Sequence, residues 1–436
     1  LGMGLLLNAG LSADRNRNLD PSRRLPAGGL LSAEALQRLA PGVRLDGTRG
    51  GACWYDALML DAERLCLSFV LSARAAGAVA VNHAEVTGFR GGQRSGGVVG
   101  RDTVSGEEFE LRATAVADCR GPWIPQDRDA SSSAAGRTVK AVNVLLREPG
   151  LSCGIAFPAR DPRGGVIKGR LFFAVPFDGV TSVGTWYFNT DAHPDGLRLT
   201  ERERSLIESD LARACPGWDL PTNPILGAQI GLLHADPRTD EPVPMEKPVI
   251  RRAPIPDGPA SLWRVETEKW TTVRSLAETA VTGICSAHGL SARPSKTRET
   301  PISGGDFESV SGLREQMDRL GSQALAGSAL DRLARSYGAD ALPLLETIRQ
   351  GGREAEPLPG TRGITHAEVD YVLRNEMPET LTDLICRRLR LADWTEPEPG
   401  AVESITGRMA AFKAWSPETI ERNRAGFRAY ISETGI

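Results

Sequence analysis

Residues 54–89 read WYDALMLDAERLCLSFVLSARAAGAVAVNHAEVTGF, and they hold two different periodicities in succession. From Ala57 to Gly77, Leu60, Leu65, Leu67, Phe69, Val70, Leu71 and Ala75 recur among polar positions. That is the spacing of one buried helix face, and Gly77 supplies the stop. AVAVNHAEVTGF then alternates apolar and polar residues as a half-buried strand does, GGQRSGGVVG turns the chain in a glycine-rich hairpin, and VVGRDTVSGEEFELRATAVADC continues as strand. The expected order is helix, strand, hairpin, strand.

Upstream, SADRNRNLDPSRRLPAGG reads as a surface crossing, followed by LSAEALQRLAP, where Ser32 and Glu34 lead a short helix that stops before Pro41. The opening LGMGLLLNAG reads as the middle of an element already under way, which predicts that the chain starts part-way through a longer protein. Gly2 and Gly4 lack the preceding strand and third glycine of a dinucleotide loop, so a glycine-containing turn or helix end is expected instead.

Downstream, AVNVLL, GIAFPA, RLFFAVPF, SVGTWYF and LWRV are short strand-like runs between Lys140 and Trp263, which predicts a mostly antiparallel sheet. One helix interrupts it, opened by a Thr200/Glu203 capping box and ending near Pro216. Thr271 or Thr272 is placed to cap VRSLAETAVTGIC, whose Val273, Leu276, Ala277, Ala280, Val281 and Ile284 share a helical face. From about Ser303 the strand signals stop and helices take over, with a second capping-box candidate at Thr365/Glu368 and a helix break at Pro378.

Composition narrows the function classes. Apolar residues make up 41% and charged residues 25%, the range of ordinary globular chains, and 52 Lys plus Arg against 55 Asp plus Glu leave no field to recruit nucleic acid. The seven cysteines are scattered without a C-x-x-C pair, which fits reduced thiols in a cytoplasmic protein. The five histidines do not pair at i, i+4, so no metal site emerges. Neither a G-x-S-x-G elbow nor a phosphate-binding P-loop is present.

Lysine is scarce, six against 46 arginines, so Lys269 in VETEKWTTVR stands out. It falls at an expected strand-to-helix junction, where a cation, two hydroxyls and free backbone N–H groups would face an anion. An ordinary capped helix with a solvated lysine is the competing reading, and the residues alone leave both open. Gly121-Pro122, after the strand-like TAVADC, is a turn that either passes close to a ligand or simply reverses the chain.

Taken in order, these pieces resemble the FAD-dependent glycerol-3-phosphate dehydrogenase family of the D-amino-acid-oxidase-like flavoproteins, nearly end to end. WYDALMLDAERL…GAVAVNHAEV is similar to the family's Y-D-x4-D-x-x-R-L…G-A…N-x-x-E-V, DCRGPW to its Asn-Ala-x-Gly-Pro-Trp, EKWTTVR to its G-G-K-x-T-T-x-R, and HAEVDYVLRNEMPETLTDLICRRLRL to the signature of its C-terminal helical domain. The resemblance implies an α/β plus α fold. Residues 1–130 would be the remainder of an incomplete FAD-binding, Rossmann-like domain of the glutathione-reductase type, 131–265 an antiparallel substrate-binding sheet, 266–300 a return to the FAD domain, and 301–436 a helical domain. It also implies FAD as cofactor, with Glu85, Val86, Gly121, Pro122, Thr271 and Thr272 against it, and Lys269, Arg274 and Asn143 acting on a small-molecule substrate by hydride transfer from an alcohol carbon. The electron acceptor is left unassigned; a homodimer and peripheral docking on the inner membrane are compatible with the family.

The departures are specific. Leu233 stands where the family has an arginine, Asn143 where it has a histidine three residues after Lys140, Thr267 and Glu268 where it has glycines, and Trp186 where it has a threonine. The G-x-G-x-x-G turn and the S-x-K-L-x-H-G-G segment are absent and would lie upstream of Leu1. An amine or secondary-metabolite flavin oxidase, and a non-catalytic remnant that has lost FAD, are the alternatives that these departures raise.

Overall fold

The computed structural model describes all residues except 1, 18, 91–95, 124–136, 148, 178, 254–261, 268, 292, 322–324, 362, 393–395 and 435–436. The tip of the expected hairpin at 91–95 therefore lies outside the described residues. By contacts the chain divides into two units. One comprises 1–2, 29–53 and 85–298; the other comprises 3–28, 54–84 and 299–436.

The opening residues form helix α1 (Gly2–Leu11), not a turn, and bury nothing. After it come β1 (Gly29–Ser32), α2 (Ala33–Leu39), capped by the Ser32 hydroxyl, and β2 (Gly50–Cys53), which pairs antiparallel with β1. Helix α3 spans Ala62–Ala75, five residues shorter at its start than the periodicity suggests. The reason is a cap: the Arg64 backbone N–H donates to the Asp61 carboxylate at 2.7 Å, so the helix begins there and Leu58, Met59 and Leu60 stay exposed. The strand expected from Ala78 likewise starts later, as β3 (Ala84–Arg90). His83 adopts a φ of +56°, which interrupts an extended chain, and Val79 and Val81 upstream of it are exposed.

Strands β4 (Gly96–Asp102) and β5 (Glu108–Ala113) complete a three-stranded sheet with β3. The short β6 (Val116–Asp118) precedes β7 (Thr138–Arg147), β8 (Ile155–Arg160), β9 (Val166–Phe177) and β10 (Val180–Thr190). Helix α4 (Glu201–Ala214) carries the complete Thr200/Glu203 capping box. The glycine-containing β11 (Ile225–His234), unanticipated from sequence, is the edge of the five-stranded antiparallel sheet β11-β7-β10-β9-β8. Val142, Val144 and Leu146 of β7, with Phe157, Phe172 and Trp186, face the same core as Ile207 and Leu211 of α4. Phe172 stacks on Trp186 at 4.4 Å between centroids, so the tryptophan at the family's threonine position is a core residue here. Finally β12 (Val249–Ala253), also unanticipated, and β13 (Leu262–Glu266) join β6 in a second three-stranded sheet, after which α5 (Val273–Ala287) begins.

The other unit is helical apart from isolated bridges among its described residues: α6 (Val310–Gly321), α7 (Gly327–Tyr337), α8 (Ala341–Arg349), α9 (His366–Asn375), a π-helical segment Asp383–Arg388, α10 (Pro399–Lys413) and α11 (Pro417–Thr434). Leu330, Leu333, Leu345, Ile348, Val369, Val372, Leu384 and Met409 build one core. Helix α9 ends before Pro378, as expected, and Thr365 caps it. Its capping box is only half formed, because the Glu368 carboxylate turns inward to take two 2.6 Å hydrogen bonds from Arg332 and one from the Tyr337 hydroxyl.

Segment 54–84 is tied to this unit by polar contacts. Arg64 of α3 donates to the buried Glu376 at 2.6 Å and lies over the Tyr337 ring, Asn82 donates to the Met377 carbonyl, and His83 meets Asp383 at 2.7 Å. Breaking a buried ion pair from one side strands the other charge, at about 3–5 kcal/mol. We expect Arg64→Met to lower the melting temperature sharply and Arg64→Met/Glu376→Met to recover much of the loss; equal loss in both would show that the pair does not matter. Burial raises the Asp383 carboxyl, but hydrogen bonds from His83, the Glu379 N–H and Arg387 outweigh it and bring the group down to about 2. Because the folded value is depressed, its contribution, about 2 kcal/mol from a shift of this size, is complete above pH 4 and lost as pH falls toward 2. Stability measured by urea unfolding should drop further for the wild type than for Asp383→Asn over that range.

Candidate functional site

Strand β6 runs parallel to β13, with Leu262 opposite Val116, Trp263 opposite Ala117 and Arg264 opposite Asp118. Both chains therefore leave the sheet at the same edge. From β6 emerges a 3-10 turn at Gly121–Trp123, and from β13 the segment Lys269, Trp270, Thr271, Thr272 leading into α5. The carboxyl edge of parallel strands is where α/β sheets bind ligands. Two motifs about 150 residues apart in sequence, Gly121-Pro122 and the segment with Lys269, Thr271, Thr272 and Arg274, thus follow paired strands from the same edge.

Gly121 has a φ of +57°, a conformation that favours glycine, and a Cβ there would meet no atom of the described residues within 4 Å. Asp118, buried at the end of β6, is held below the usual carboxylate range: burial raises it, but the bidentate Arg120 guanidinium at 2.8 and 2.9 Å outweighs burial. Cys119 next to it is pushed up, first by burial and then by the Asp118 charge, so its thiol stays protonated at neutral pH.

At the other turn the expected cap is not made. Neither Thr271 nor Thr272 caps α5; Thr272 Oγ1 instead donates to the Lys269 carbonyl at 3.4 Å, and no described side chain accepts from the first N–H groups. Lys269, Thr271 and Thr272 are exposed. Arg274 is half-buried, with Nη1 2.6 Å from Glu278 and 3.1 Å from Thr297. A cation, two hydroxyls and a helix start without a side-chain cap together suit an anionic or electron-rich group.

Glu85 and Val86 belong to a different sheet. Glu85 is exposed on β3 and pairs with Arg101 at 3.1 Å; β3 approaches the β6 turn through Arg120, whose guanidinium lies 5.8 Å from the Phe89 ring. Asn143 sits on β7 and accepts from Thr185 Oγ1 at 2.9 Å. Lys140, three residues earlier, points to the opposite face, where its ammonium is buried 2.7 Å from Glu203 on α4. The edge strand β11 packs against Gly121–Trp123, and its last residue, His234, comes within 3.9 Å of Glu266 at the end of β13. Gln229 and Ser182, neighbours of Asn143 on its face and 3.3 Å apart, were not singled out from sequence; alternation along β10 was the only signal for Ser182, and β11 was not anticipated at all. Among the described residues no three His, Cys, Asp or Glu side chains gather as a metal site would require.

The family model described as FAD dependent oxidoreductase matches residues 7–291, and the one described as the C-terminal domain of alpha-glycerophosphate oxidase matches 295–420. The chain belongs to the FAD-dependent oxidoreductase family, on its glycerol-3-phosphate dehydrogenase branch. Mitochondrial glycerol-3-phosphate dehydrogenase of Bos taurus is 28% identical over 392 residues, covering 83% of this chain and 50% of the relative. Glycerol-3-phosphate dehydrogenase of Synechocystis is 25% identical over 432 residues, covering 95% and 77%. The chain thus spans about half the length of the mitochondrial relatives it matches. The X-ray structure of glycerol-3-phosphate dehydrogenase from Bacillus halodurans, complexed with FAD, shares the fold at a TM-score of 0.74 and 22% identity, over 93% of this chain and 80% of that one.

Because Lys269 is exposed and its ammonium has no hydrogen-bond or ion-pair partner among the described residues, Lys269→Ala should leave thermal stability within about 0.5 kcal/mol of the wild type. A melting curve displaced well beyond that would assign the lysine to the fold instead of to a ligand.

Proposed function

We propose that this protein is an FAD-dependent oxidoreductase that oxidises an alcohol or amine carbon at the edge shared by β6 and β13. The observation that carries the reading is the parallel pairing of those strands, from which Gly121-Pro122 and the segment with Lys269, Thr271 and Thr272 leave at the same edge. The residues present fit the flavin end of the cofactor: among the described residues nothing crowds the Gly121 backbone, which would let a flat group approach it, and the α5 start offers donors without a side-chain cap. Glu85 and Val86 would serve the nucleotide end. In this reading 1–130 and 266–300 form the cofactor side, 131–265 the substrate sheet, and 301–436 the helical domain.

Bound FAD would supply the acceptor for two electrons. The chain's own residues would do the rest. Lys269 and the N–H groups of the α5 start would stabilise negative charge, which favours the reduced form of an electron-rich ring. The ion pair with Glu278 holds Arg274 in place on the first turn of α5. Asn143, its Oδ1 already accepting from Thr185, keeps its amide N–H groups to donate to a substrate oxygen or to lie beside an amine.

The test is spectroscopic. The protein purified from its natural full-length gene is expected to carry, or to take up on titration, one flavin per chain, read from flavin absorbance and quenched flavin fluorescence. A protein that stays colourless with added FAD overturns the proposal. Lys269→Ala should retain flavin but shift its reduction potential downward, since a cation near the ring favours the reduced state.

A further inference from the structure

Strand β3, which carries Glu85 and Val86, begins directly after His83, and the chain passes from the helical unit to the sheet-containing unit between Ala84 and Glu85. The backbone that enters β3 is therefore set within the helical unit. His83 has a φ of +56°, a left-handed conformation uncommon outside glycine, so its surroundings must hold it there. The ring provides such a hold, with Nε2 2.7 Å from Asp383 Oδ2. A carboxylate only accepts, so His83 carries a proton on Nε2 and donates it.

Asp383 is itself fixed. It is buried at the start of the π-helical segment, where Oδ2 also accepts from the Glu379 and Thr380 backbone N–H groups at 3.0 Å each and Oδ1 accepts from Arg387 at 2.6 Å. Just upstream, the end of α9 is taken up by the same segment that leads to His83. Arg74 donates to the Asn375 carbonyl at 3.0 Å, Arg64 to the Glu376 carboxylate at 2.6 Å and Asn82 to the Met377 carbonyl at 2.7 Å. Met377 has a φ of +52°, and the ring of Pro378 locks the next φ, so this side of the join is rigid as well. Apolar packing does not account for the hold near His83, since Val79 and Val81 are exposed.

We infer that Asp383 is a positioning residue for FAD: through His83 it fixes the start of β3, so that Glu85 and Val86 meet the nucleotide end of the cofactor already in place. This rests on the role proposed above for Glu85 and Val86. The physical basis is preorganisation. A strand start free to rotate about residue 83 has to be ordered when the nucleotide binds, and that ordering is subtracted from the affinity.

The test titrates FAD into the flavin-stripped full-length protein, followed by quenching of flavin fluorescence. His83→Gly permits the same φ but removes the ring, and should raise the Kd for FAD about ten-fold, the worth of one hydrogen bond to a charged group. His83→Gln, whose amide N–H can take the place of the ring N–H, should recover most of that loss. Arg332→Met strands the buried Glu368 elsewhere in the helical unit, so it should lower the melting temperature and leave the Kd unchanged, which separates positioning from a general loss of stability. Without FAD, amide hydrogen exchange across residues 84–90 should be faster in His83→Gly and slow again in His83→Gln. A wild-type Kd or wild-type exchange in His83→Gly, no recovery in His83→Gln, or an equal rise of Kd in Arg332→Met overturns the inference. A wild type that binds no FAD overturns the function proposed above and this inference with it, whereas a wild type that binds FAD beside an unaffected His83→Gly overturns this one alone.

Discussion

The parallel pairing of β6 with β13 is the constraint on which the rest of the sheet-containing unit depends. Three residue pairs among the described residues define it, and through it two loops distant in sequence leave from one sheet edge. An antiparallel arrangement would have sent Gly121–Trp123 and Lys269–Thr272 to opposite ends. Strand direction, not the identity of any one side chain, therefore assembles the candidate site, and the side chains then decide what it can hold. Asp118 and Glu266, the buried acids at the two strand ends, are each tied to an arginine.

The helical unit is organised by a different principle. Its apolar core is conventional, but Arg64, Glu376, Arg332, Glu368 and Tyr337 form a buried polar cluster around it, and Asp383 takes contacts from His83, Arg387 and two backbone N–H groups. Such groups are costly to bury unless paired, so each fixes the place of its partner. That is why residues 54–84, more than 200 positions upstream of α6, belong to this unit: their apolar contribution is modest, whereas Arg64, Asn82 and His83 supply partners to acceptors that would otherwise be stranded.

Periodicity made much of this legible. The strands of the antiparallel sheet, α4 with its capping box, α5 and the change to helix after Ser303 follow from spacing and turn residues. The misses have local causes. Asp61 caps α3 late, His83 breaks a run that alternates like a strand, and β11 hides behind two glycines and a bulge between Ile225 and Gly227. At Thr271 and Thr272 the residue types suit a cap, but a 3-10 turn intervenes before α5 and one hydroxyl is spent on Lys269. The importance of Lys269 and Gly121-Pro122 was suggested by residue type and by resemblance; the pairing of the strands that lead to them was not.

By itself the sequence determined the element types, the balance of α/β and helical parts, and membership in a flavoprotein family, because local periodicity, caps and short motifs are written in consecutive residues. Only the tertiary structure decided which loops leave from the β6–β13 edge and that Lys140 faces away from Asn143. Those facts depend on strand direction and register, where a shift of one residue reverses every side chain, and no single stretch of sequence encodes them.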